Sequence, residues 1–396
     1  MTMSARLTAP GEPTPKPHVN QAEAIDYQVT PSFVALLEKL GCSLVITNYQ
    51  SSTVMTFSSL GDGRPVQMFA AFPAAMGLAL EGDRLAVAGL SEVIVLSNIR
   101  KLAPGLPKFP GLFDGYFVPR VRYTVGECAL HDMVFDPAGI LAVNTEYSCI
   151  CRIDGFHNFV PVWQPPWISE IRPGDRCHLN GMAVENGEIR YATSLGTTDV
   201  PRGWTERKLD GGVLIDVPSG RIVSHGLCMP HSPRLIGDDL YLVEAGTGTL
   251  FRIDRSSGAR TPVVVGLPGF ARGLAEHGGY LFVGLSLMRG SRPFEGLPVE
   301  HGGKEVICGV VAIELATGQV VGTLRYTGGC TEIHDLQVMA GVRRLGISGY
   351  DSDAQAMAVD MPDVGLWLEP SQQSSQEPSR QSVSPANAPG KVLAHP

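Results

Sequence analysis

Short apolar stretches separated by turn residues recur along most of the chain. One unit begins at residues 178–184, turns at Asn186-Gly187 and continues through residues 189–194, 212–217 and 221–225. Related units begin near residues 76, 131, 231, 272 and 334, and each spans roughly 40–55 residues. This pattern predicts a four-stranded antiparallel meander, which is typical of a β-propeller blade.

The six inner strands of these units predict an all-β protein that folds as a single six-bladed β-propeller. Apolar runs at residues 44–48, 53–58 and 66–72 precede the first complete unit. We expect them to complete the blade that begins near residue 334, so that N- and C-terminal strands pair and close the ring. A further apolar run at residues 342–348 keeps seven blades as the alternative.

The two flanks of the propeller differ in composition from the rest of the chain. Residues 1–28 contain four prolines and few large apolar residues, and residues 367–396 are rich in Ser, Gln and Pro. We expect both segments to be disordered tails around a propeller domain over residues 29–366. The segment Pro31–Leu40 has helical spacing and is predicted to cap the edge of the domain.

Composition narrows the classes of partner and compartment. The 396 residues include 46 Gly and 30 Pro, and 44% are hydrophobic, which suits an all-β fold with a large core. The net charge is −8 without a basic run, so we expect neither nucleic acid nor an anionic membrane surface as a partner. No apolar stretch reaches the length of a membrane span. Eight Cys without a CxxC pair, and no apolar signal segment at the start, predict reduced thiols and a cytoplasmic protein.

Polar residues stand at the entries of several predicted inner strands. These strands line the central channel of a propeller, so their entries ring one mouth of it. The residues at the entries are His131, His178, His231, Arg272 and His334. Long loops at residues 196–211 and 286–308 should overhang the same mouth. We predict a small-molecule site there, with the substrate-binding residues Arg234, Arg272, Trp204 and Arg289.

The imidazoles at these entries suit two kinds of chemistry. Several neutral imidazoles on one axis favour a divalent transition metal, with the ligands His131, His178 and His231 and a weaker fourth, His334. The same rings also suit acid–base catalysis. The predicted catalytic residues are His131, Asp132, His178, Asn180 and His231, where Asp132 orients or deprotonates and Asn180 hydrogen-bonds.

Each of these assignments has a structural alternative. A histidine at a strand entry can satisfy a backbone group, and Arg234 or Arg272 can form a salt bridge with Glu244 or Asp239. Cysteines precede four of the histidines, and we expect them to pack in the core rather than to ligate a metal or attack a substrate. They are Cys128, Cys177, Cys228 and Cys330.

Longer motifs resemble a conserved protein family of unknown function. They include residues 44–50 (LVITNYQ), 175–181 (DRCHLNG), 230–234 (PHSPR) and 269–273 (GFARG). The resemblance covers about residues 35–345 and implies a propeller-like fold, in some members fused to tetratricopeptide repeats, but no activity. The family commonly has an aromatic residue where this chain has His334, which makes His131, His178 and His231 the stronger ligand set.

A looser resemblance is to the gluconolactonase and regucalcin-like six-bladed propellers. There an Asn-Gly that enters an inner strand supplies a metal ligand, and Asn180-Gly181 looks similar. The acidic ligands of those enzymes have no clear counterparts in this chain. We therefore predict an enzyme, metal-dependent or acid–base, that acts on a small polar or anionic molecule. The alternative is a non-catalytic propeller that binds a protein partner or serves as a scaffold.

Overall fold

The computed structural model describes residues 25–288, 294–349 and 352–368, and it confirms an all-β propeller of six blades. The inner strands of successive blades contact one another in a closed cycle, in which the last blade meets the first. No described helix is long and apolar enough to cross a membrane. Most of the predicted tails, at residues 1–24 and 369–396, and Arg289 lie outside the described residues.

The N-terminal segment contributes one helix and four strands. The helix begins at Pro31, whose fixed φ suits a first turn, and ends where Gly41 adopts a φ of 61°. Its buried Phe33 and Leu37 pack into a core that includes Phe57 and Phe282. The elements are β1 (Tyr27–Val29), α1 (Pro31–Leu40), β2 (Cys42–Asn48), β3 (Thr53–Ser59) and β4 (Pro65–Ala71).

Blades 1 to 5 follow one another along the chain, and each is an antiparallel meander that begins with its inner strand. Blade 1 consists of β5 (Leu78–Glu81), β6 (Arg84–Ala88), β7 (Glu92–Asn98) and β8 (Gly115–Thr124). Blade 2 consists of β9 (Leu130–Asp136), β10 (Gly139–Asn144), β11 (Cys149–Ile153) and β12 (Val160–Trp163). Blade 3 consists of β13 (Leu179–Glu185), β14 (Glu188–Ser194), β15 (Gly212–Asp216) and β16 (Arg221–Leu227).

The remaining elements complete the ring. Blade 4 consists of β17 (Pro230–Ile236), β18 (Asp239–Glu244), β19 (Thr249–Ile253) and β20 (Arg260–Val264). Blade 5 consists of β21 (Phe270–His277), β22 (Tyr280–Ser286), β23 (Cys308–Glu314) and β24 (Gln319–Tyr326). The last elements are β25 (Ile333–Ala340), β26 (Leu345–Ile347), α2 (Ala354–Met357), β27 (Ala358–Asp360) and β28 (Gly365–Trp367).

Blade 6 joins the two ends of the chain, as the sequence predicts. Its inner strand β25 pairs antiparallel with β2, and β3 and β4 complete the sheet. Ser43 Oγ adds a 2.8 Å hydrogen bond to the carbonyl of Val342. The segment at residues 342–348 does not start a seventh blade, because β26 joins the outer edge of blade 1 parallel to β8. In the same way β1 extends the outer edge of blade 5 beside β24.

Two parts of the fold differ from the sequence-based expectation. The apolar pattern does not predict β8, which contains Pro119 opposite Leu96 at a shift in the ladder register. Proline has no N–H to donate, so a strand holds one only at a bulge or an edge. The hairpin of β27 and β28 is also unexpected. Trp367 Nε1 donates a 2.9 Å hydrogen bond to the Leu102 carbonyl, which ties this hairpin to blade 1.

Candidate functional site

A shift in the ladder near the start of the inner strand sets the direction of one polar residue in several blades. In blades 2, 3 and 6 the register shifts just after the first paired residue of the inner strand. Such a bulge turns a side chain out of the normal alternation of the strand. The first paired residues are Leu130, Leu179, Pro230 and Ile333, and the residues after them are His131, Asn180, His231 and His334. The positions of His131, Asn180 and His334 are therefore equivalent, and His231 takes the same place in blade 4, where the shift follows His231 itself.

His178 stands two residues before the position that is equivalent to the other histidines. Its neighbour Cys177 aligns with Cys128 and Cys228. In each of these blades the cysteine carbonyl accepts a hydrogen bond from the backbone N–H two residues after the end of the second strand. The residue after each cysteine has a left-handed backbone, with φ of 50° at His178, 49° at Ala129 and 55° at Met229. Strain of this kind costs about 1–3 kcal/mol per residue and clusters at functional sites.

Backbone carbonyls hold the Nδ1 atoms of two histidines. Nδ1–H of His131 donates to the Ala129 carbonyl at 2.8 Å and also lies 2.8 Å from the Thr145 hydroxyl oxygen. Nδ1–H of His231 donates to the Met229 carbonyl at 3.0 Å. A carbonyl can only accept, so the proton stays on Nδ1 and Nε2 carries the lone pair.

His178 is held by a carboxylate instead of a carbonyl. Its Nδ1 lies 3.0 Å from both carboxylate oxygens of Asp175. Trp204 Nε1 donates to Asp175 Oδ2 at 3.0 Å, and its ring centroid lies 4.5 Å from that of His178. A His–Asp pair of this kind fixes the tautomer and stabilises the imidazolium that forms when Nε2 accepts a proton. The side chain of His178 is 15% exposed, so a small molecule can reach it.

The structure brings three histidines into contact, but not the three predicted as metal ligands. His131 lies between His178 and His334, with ring centroids 5.0 Å and 4.8 Å apart in edge-to-face contacts. His231 contacts Phe270 instead, at 5.5 Å. Among the described residues, no group of three His, Cys, Asp or Glu side chains is placed to hold a metal ion. The predicted ligands His131, His178 and His231 therefore do not form such a group among the described residues.

Burial keeps two of the imidazoles neutral. It is the largest cause that lowers the pKa of His131 well below its usual value, and the charges of His178 and Arg272 lower it further. Burial and then the charge of Arg272 lower the pKa of His231 to about 3. Both rings are therefore uncharged near pH 7 and keep a basic lone pair on Nε2.

Arg272 lies buried near these histidines, at the mouth of the central channel, and forms an ion pair with Glu332. Its Nε also donates to the Ile333 carbonyl at 2.8 Å. The suggestion that Glu244 or Asp239 pairs with Arg272 or Arg234 is wrong, because both arginines bind other carboxylates. A buried cation needs such a partner, and the nearest one comes from the connection that enters blade 6.

A second polar cluster, the channel centre, lies further along the inner strands and consists of Asp132, Arg234 and Asp335. The Arg234 guanidinium nitrogens lie 2.8 Å and 3.1 Å from the two oxygens of Asp132 and 4.0 Å from Asp335. Backbone N–H groups of Met182 and Leu78 donate to the two carboxylates, both at 3.0 Å. The cluster therefore crosslinks inner strands of several blades and borders a cavity of 220 Å³.

Asn180 is also committed to protein groups. Its Nδ2 donates to the Pro230 carbonyl at 3.0 Å, and its Oδ1 accepts from the Thr193 hydroxyl at 2.8 Å. It bridges blades 3 and 4 at the mouth, at the position where the neighbouring blades have histidine. The looser resemblance to gluconolactonase would make Asn180 a metal ligand, whereas here its amide oxygen accepts from a neighbouring strand.

The cysteines pack in the core, as predicted. All eight are buried, and none forms a disulfide. Burial raises the pKa of Cys128 to about 11 and the pKa values of Cys177 and Cys228 to about 12. A nucleophilic or metal-binding cysteine needs a thiolate, which these thiols do not supply at neutral pH.

Two residues of the site have no role in the sequence-based prediction. Asp175 orients His178, and its position three residues earlier in the same loop is a local signal that could identify it. Thr145 contacts the His131 ring from the connection after β10. No local pattern links Thr145 to His131, because the strand pairing of blade 2 brings them together.

Solved structures with a similar chain course share little sequence with this protein. A nidogen/laminin complex has 13% identity and a TM-score of 0.49, covering 76% of this chain and 98% of that chain. A protein of unknown function from Bacteroides caccae has 10% identity and a TM-score of 0.46, covering 75% and 98%. An oxidoreductase of Thermus thermophilus, provisionally assigned as a glucose dehydrogenase, has 15% identity and a TM-score of 0.42, covering 72% and 93%. Sequence identities and TM-scores this low do not support any inference about function.

Comparison with curated proteins and family models identifies the family of the chain but not its activity. Small ribosomal subunit protein eS4 of Methanocella arvoryzae is 26% identical over 184 residues, which are 44% of this chain and 72% of that protein. This identity is too low to assign the chain to the family of that protein. The model of the domain of unknown function DUF4915 matches residues 31–347, a range that includes all six blades. The chain therefore belongs to the DUF4915 family.

Proposed function

We propose that the protein is an enzyme that acts on a small polar molecule at the channel mouth by acid–base catalysis. The observation that carries this proposal is the pair of His178 and Asp175, with both carboxylate oxygens 3.0 Å from Nδ1. Nε2 of His178 is then a base with a fixed lone pair. It takes a proton from the substrate and returns it later in the reaction, while Asp175 stabilises the imidazolium.

The neighbouring groups have supporting roles in this proposal. His131 lies 5.0 Å from His178 and offers a second neutral Nε2, which can hold the substrate beside the base. Trp204 fixes Asp175 through its indole N–H and covers one side of His178. Asn180 bridges two blades and keeps the strand entries in place. The guanidinium of Arg272 is bound to Glu332, so in this proposal Arg272 positions the neighbouring rings and does not contact the substrate.

The proposal is tested by turnover of metabolites. The purified protein is incubated with a complex metabolite extract, and mass spectrometry follows which compounds are consumed and formed. His178→Ala should lower the rate of the reaction by roughly 10²–10⁴-fold, the usual contribution of a general base. His157→Ala is the matched control, since His157 is exposed in a loop of blade 2 and should leave the rate unchanged. Equal rates for the wild type and His178→Ala would refute the proposal.

A second candidate function is a non-catalytic module that binds a protein partner. Phe156 favours it, because this aromatic side chain is 87% exposed at a loop between β11 and β12. Exposed aromatic residues are enriched where proteins bind one another. Under this alternative, Phe156→Ser abolishes capture of the partner and His178→Ala does not. The acid–base proposal requires the opposite dependence for turnover.

The setting of the protein is part of the same proposal. We place it in the cytoplasm, in keeping with eight unpaired thiols, and expect it to act without a nucleic-acid partner because its net charge is −8. Fractionation of cells that express a tagged full-length chain tests the compartment. Recovery in an oxidising compartment, with any of the eight thiols in a disulfide, would contradict it.

A further inference from the structure

The channel mouth offers hydrogen-bond acceptors to a ligand. The Nδ1–H groups of the three rings are committed to the protein oxygens of Ala129, Asp175 and Met229. Within the described part of the chain, no protein group hydrogen-bonds Nε2 of His131, His178 or His231. A neutral imidazole that is protonated on Nδ1 can only accept at Nε2. The matching ligand groups are therefore donors.

The charge at the mouth disfavours both kinds of ion. Arg272 already pairs with Glu332, and Asp175 already accepts from His178 and Trp204. Burial and the positive charge of Arg272 act against protonation of His131 and His231, and the same two factors disfavour a ligand cation in contact with these rings. Among the described residues, an anion would meet the lone pairs of His131 and His231 instead of hydrogen-bond donors.

We propose that the substrates are neutral polyhydroxylated small molecules, whose hydroxyl groups donate hydrogen bonds to Nε2 of His131, His178 and His231. The ring centroids of His131 and His178 are 5.0 Å apart, so neighbouring hydroxyls of one molecule reach both rings. The inference rests on the proposed acid–base function and names the group on which it acts. The hydroxyl proton moves to His178 Nε2, which leaves an alkoxide on the substrate and an imidazolium paired with Asp175.

The surroundings of the rings strengthen such hydrogen bonds. Trp204 covers one side of His178 at 4.5 Å, and Phe270 lies 5.5 Å from His231. Both aromatic side chains are buried, with 3% and 4% of their surface exposed. Hydrogen bonds in such a poorly hydrated environment are electrostatically stronger than in water. The same environment disfavours charged ligands, because they would lose hydration without finding a charged partner among the described residues that surround the rings.

The test uses three probes of different charge on the full-length chain with ¹⁵N-labelled histidine: sorbitol, inorganic phosphate and putrescine. Long-range ¹H–¹⁵N spectra report the protonation and hydrogen bonding of each ring nitrogen. Sorbitol should shift the Nε2 signals of His131 and His178 to lower frequency, in the direction of an accepted hydrogen bond, and leave His157 unchanged. Thermal shifts are unsuitable, because sorbitol stabilises proteins through exclusion from their surface.

A variant makes the comparison quantitative. His131→Phe keeps a ring at this position but removes Nε2, and it should weaken sorbitol binding about tenfold, the value of one good hydrogen bond. His157→Phe should leave binding unchanged. Tighter binding of phosphate or putrescine than of sorbitol overturns the inference, as does the absence of any Nε2 shift with sorbitol in the wild type.

The two proposals fail in different ways. If sorbitol causes no shift but metabolite turnover depends on His178, the substrate class is wrong and the acid–base function stands. If sorbitol shifts the Nε2 signals but His178→Ala leaves turnover unchanged, the ligand class stands and the acid–base function is wrong.

Discussion

The channel mouth and the channel centre contain polar residues that are neighbours in sequence. The two regions differ in how many hydrogen-bonding atoms the protein leaves unused. His131 precedes Asp132, and His334 precedes Asp335. At the mouth, the imidazole of His131 binds the Ala129 carbonyl through Nδ1, and no described protein group hydrogen-bonds its Nε2. At the centre, both oxygens of Asp132 bind Arg234, and both oxygens of Asp335 accept backbone N–H groups. A side chain with an unused hydrogen-bonding atom can bind a ligand. A side chain whose atoms all bind protein groups only crosslinks the strands.

Charge differs between the two regions as well. At the mouth, burial and the proximity of Arg272 lower the pKa values of His131 and His231 and keep these two rings neutral. The centre holds two carboxylates against one guanidinium, and burial and then the charge of Asp132 raise the pKa of Asp335 to about 7. Mutations at the mouth should therefore change chemistry, and mutations at the centre should change stability.

The largest expected effect is on catalysis at the mouth. Asp175→Asn replaces the acceptor of His178 Nδ1–H with an amide that can donate to Nδ1, so the ring proton moves to Nε2 and the base is lost. Turnover should fall by roughly 10²–10⁴-fold, while the urea-unfolding free energy changes by less than about 1 kcal/mol. The tautomer is read directly from ¹⁵N spectra. Retention of the Nδ1–H form in this variant would contradict the role given to Asp175.

The next effect is on stability at the centre. Arg234→Met leaves Asp132 and Asp335 buried without their cation and should cost about 3–5 kcal/mol, measured by urea unfolding. Arg64→Met is the control, because Arg64 pairs with Asp62 at the surface and is 72% exposed. The control should cause no measurable change. A small cost for Arg234→Met would show that the centre is not the crosslink described above.

The pH dependence of stability tests Asp335. The pKa of this carboxyl is raised from 3.8 to about 7 in the folded state, so the folded protein binds more protons than the unfolded chain between these values. The contribution of Asp335 to stability is therefore full below about pH 4 and lost as the pH rises through about 7, by at most about 1.4 kcal/mol per pH unit. The difference between the wild type and Asp335→Asn isolates this slope. Parallel curves for the two proteins would exclude it.

His231 should show the opposite dependence on pH, and its replacement should have the smallest effect on stability at neutral pH. Its folded pKa of about 3 lies below its usual value of 6.5, so the unfolded chain binds protons first and stability falls as the pH drops below about 6.5. His231→Asn copies the residue at the equivalent position of blade 3 and should flatten this decline. At pH 7.5 it should cost about 0.5–1.5 kcal/mol through the lost contact with Phe270. An unchanged acid slope would contradict burial of a neutral ring.

The fold is largely predictable from the sequence because blades are local structures. Meanders with short turns follow from apolar runs and turn residues, and the unmatched strands at both ends indicate how the ring closes. The strand β8 is not predicted, because Pro119 in the sequence argues against a strand at this place. The position of β26 depends on pairing with Gly115–Thr124 from another part of the chain, and no local pattern contains it.

The site is predictable in its residue types but not in their partners. His131 and His178 lie together as expected, and Trp204 contacts His178. The register shifts that align Asn180 with His131 and His231 cannot be counted from the turns, because a bulge changes the spacing by one residue. Arg234 and Asp132 are 102 residues apart, so their pairing depends on the arrangement of the blades.

The composite blade 6 has a consequence for synthesis of the chain. Strands β2, β3 and β4 are made first, but their inner partner β25 is made after five other blades. Until then β2 exposes an unpaired edge, which is a template for pairing with another chain. A ribosome that stalls before residue 333 would therefore release an open ring with this edge exposed. Synthesis of β25, near the end of translation, would cover this edge by pairing with β2.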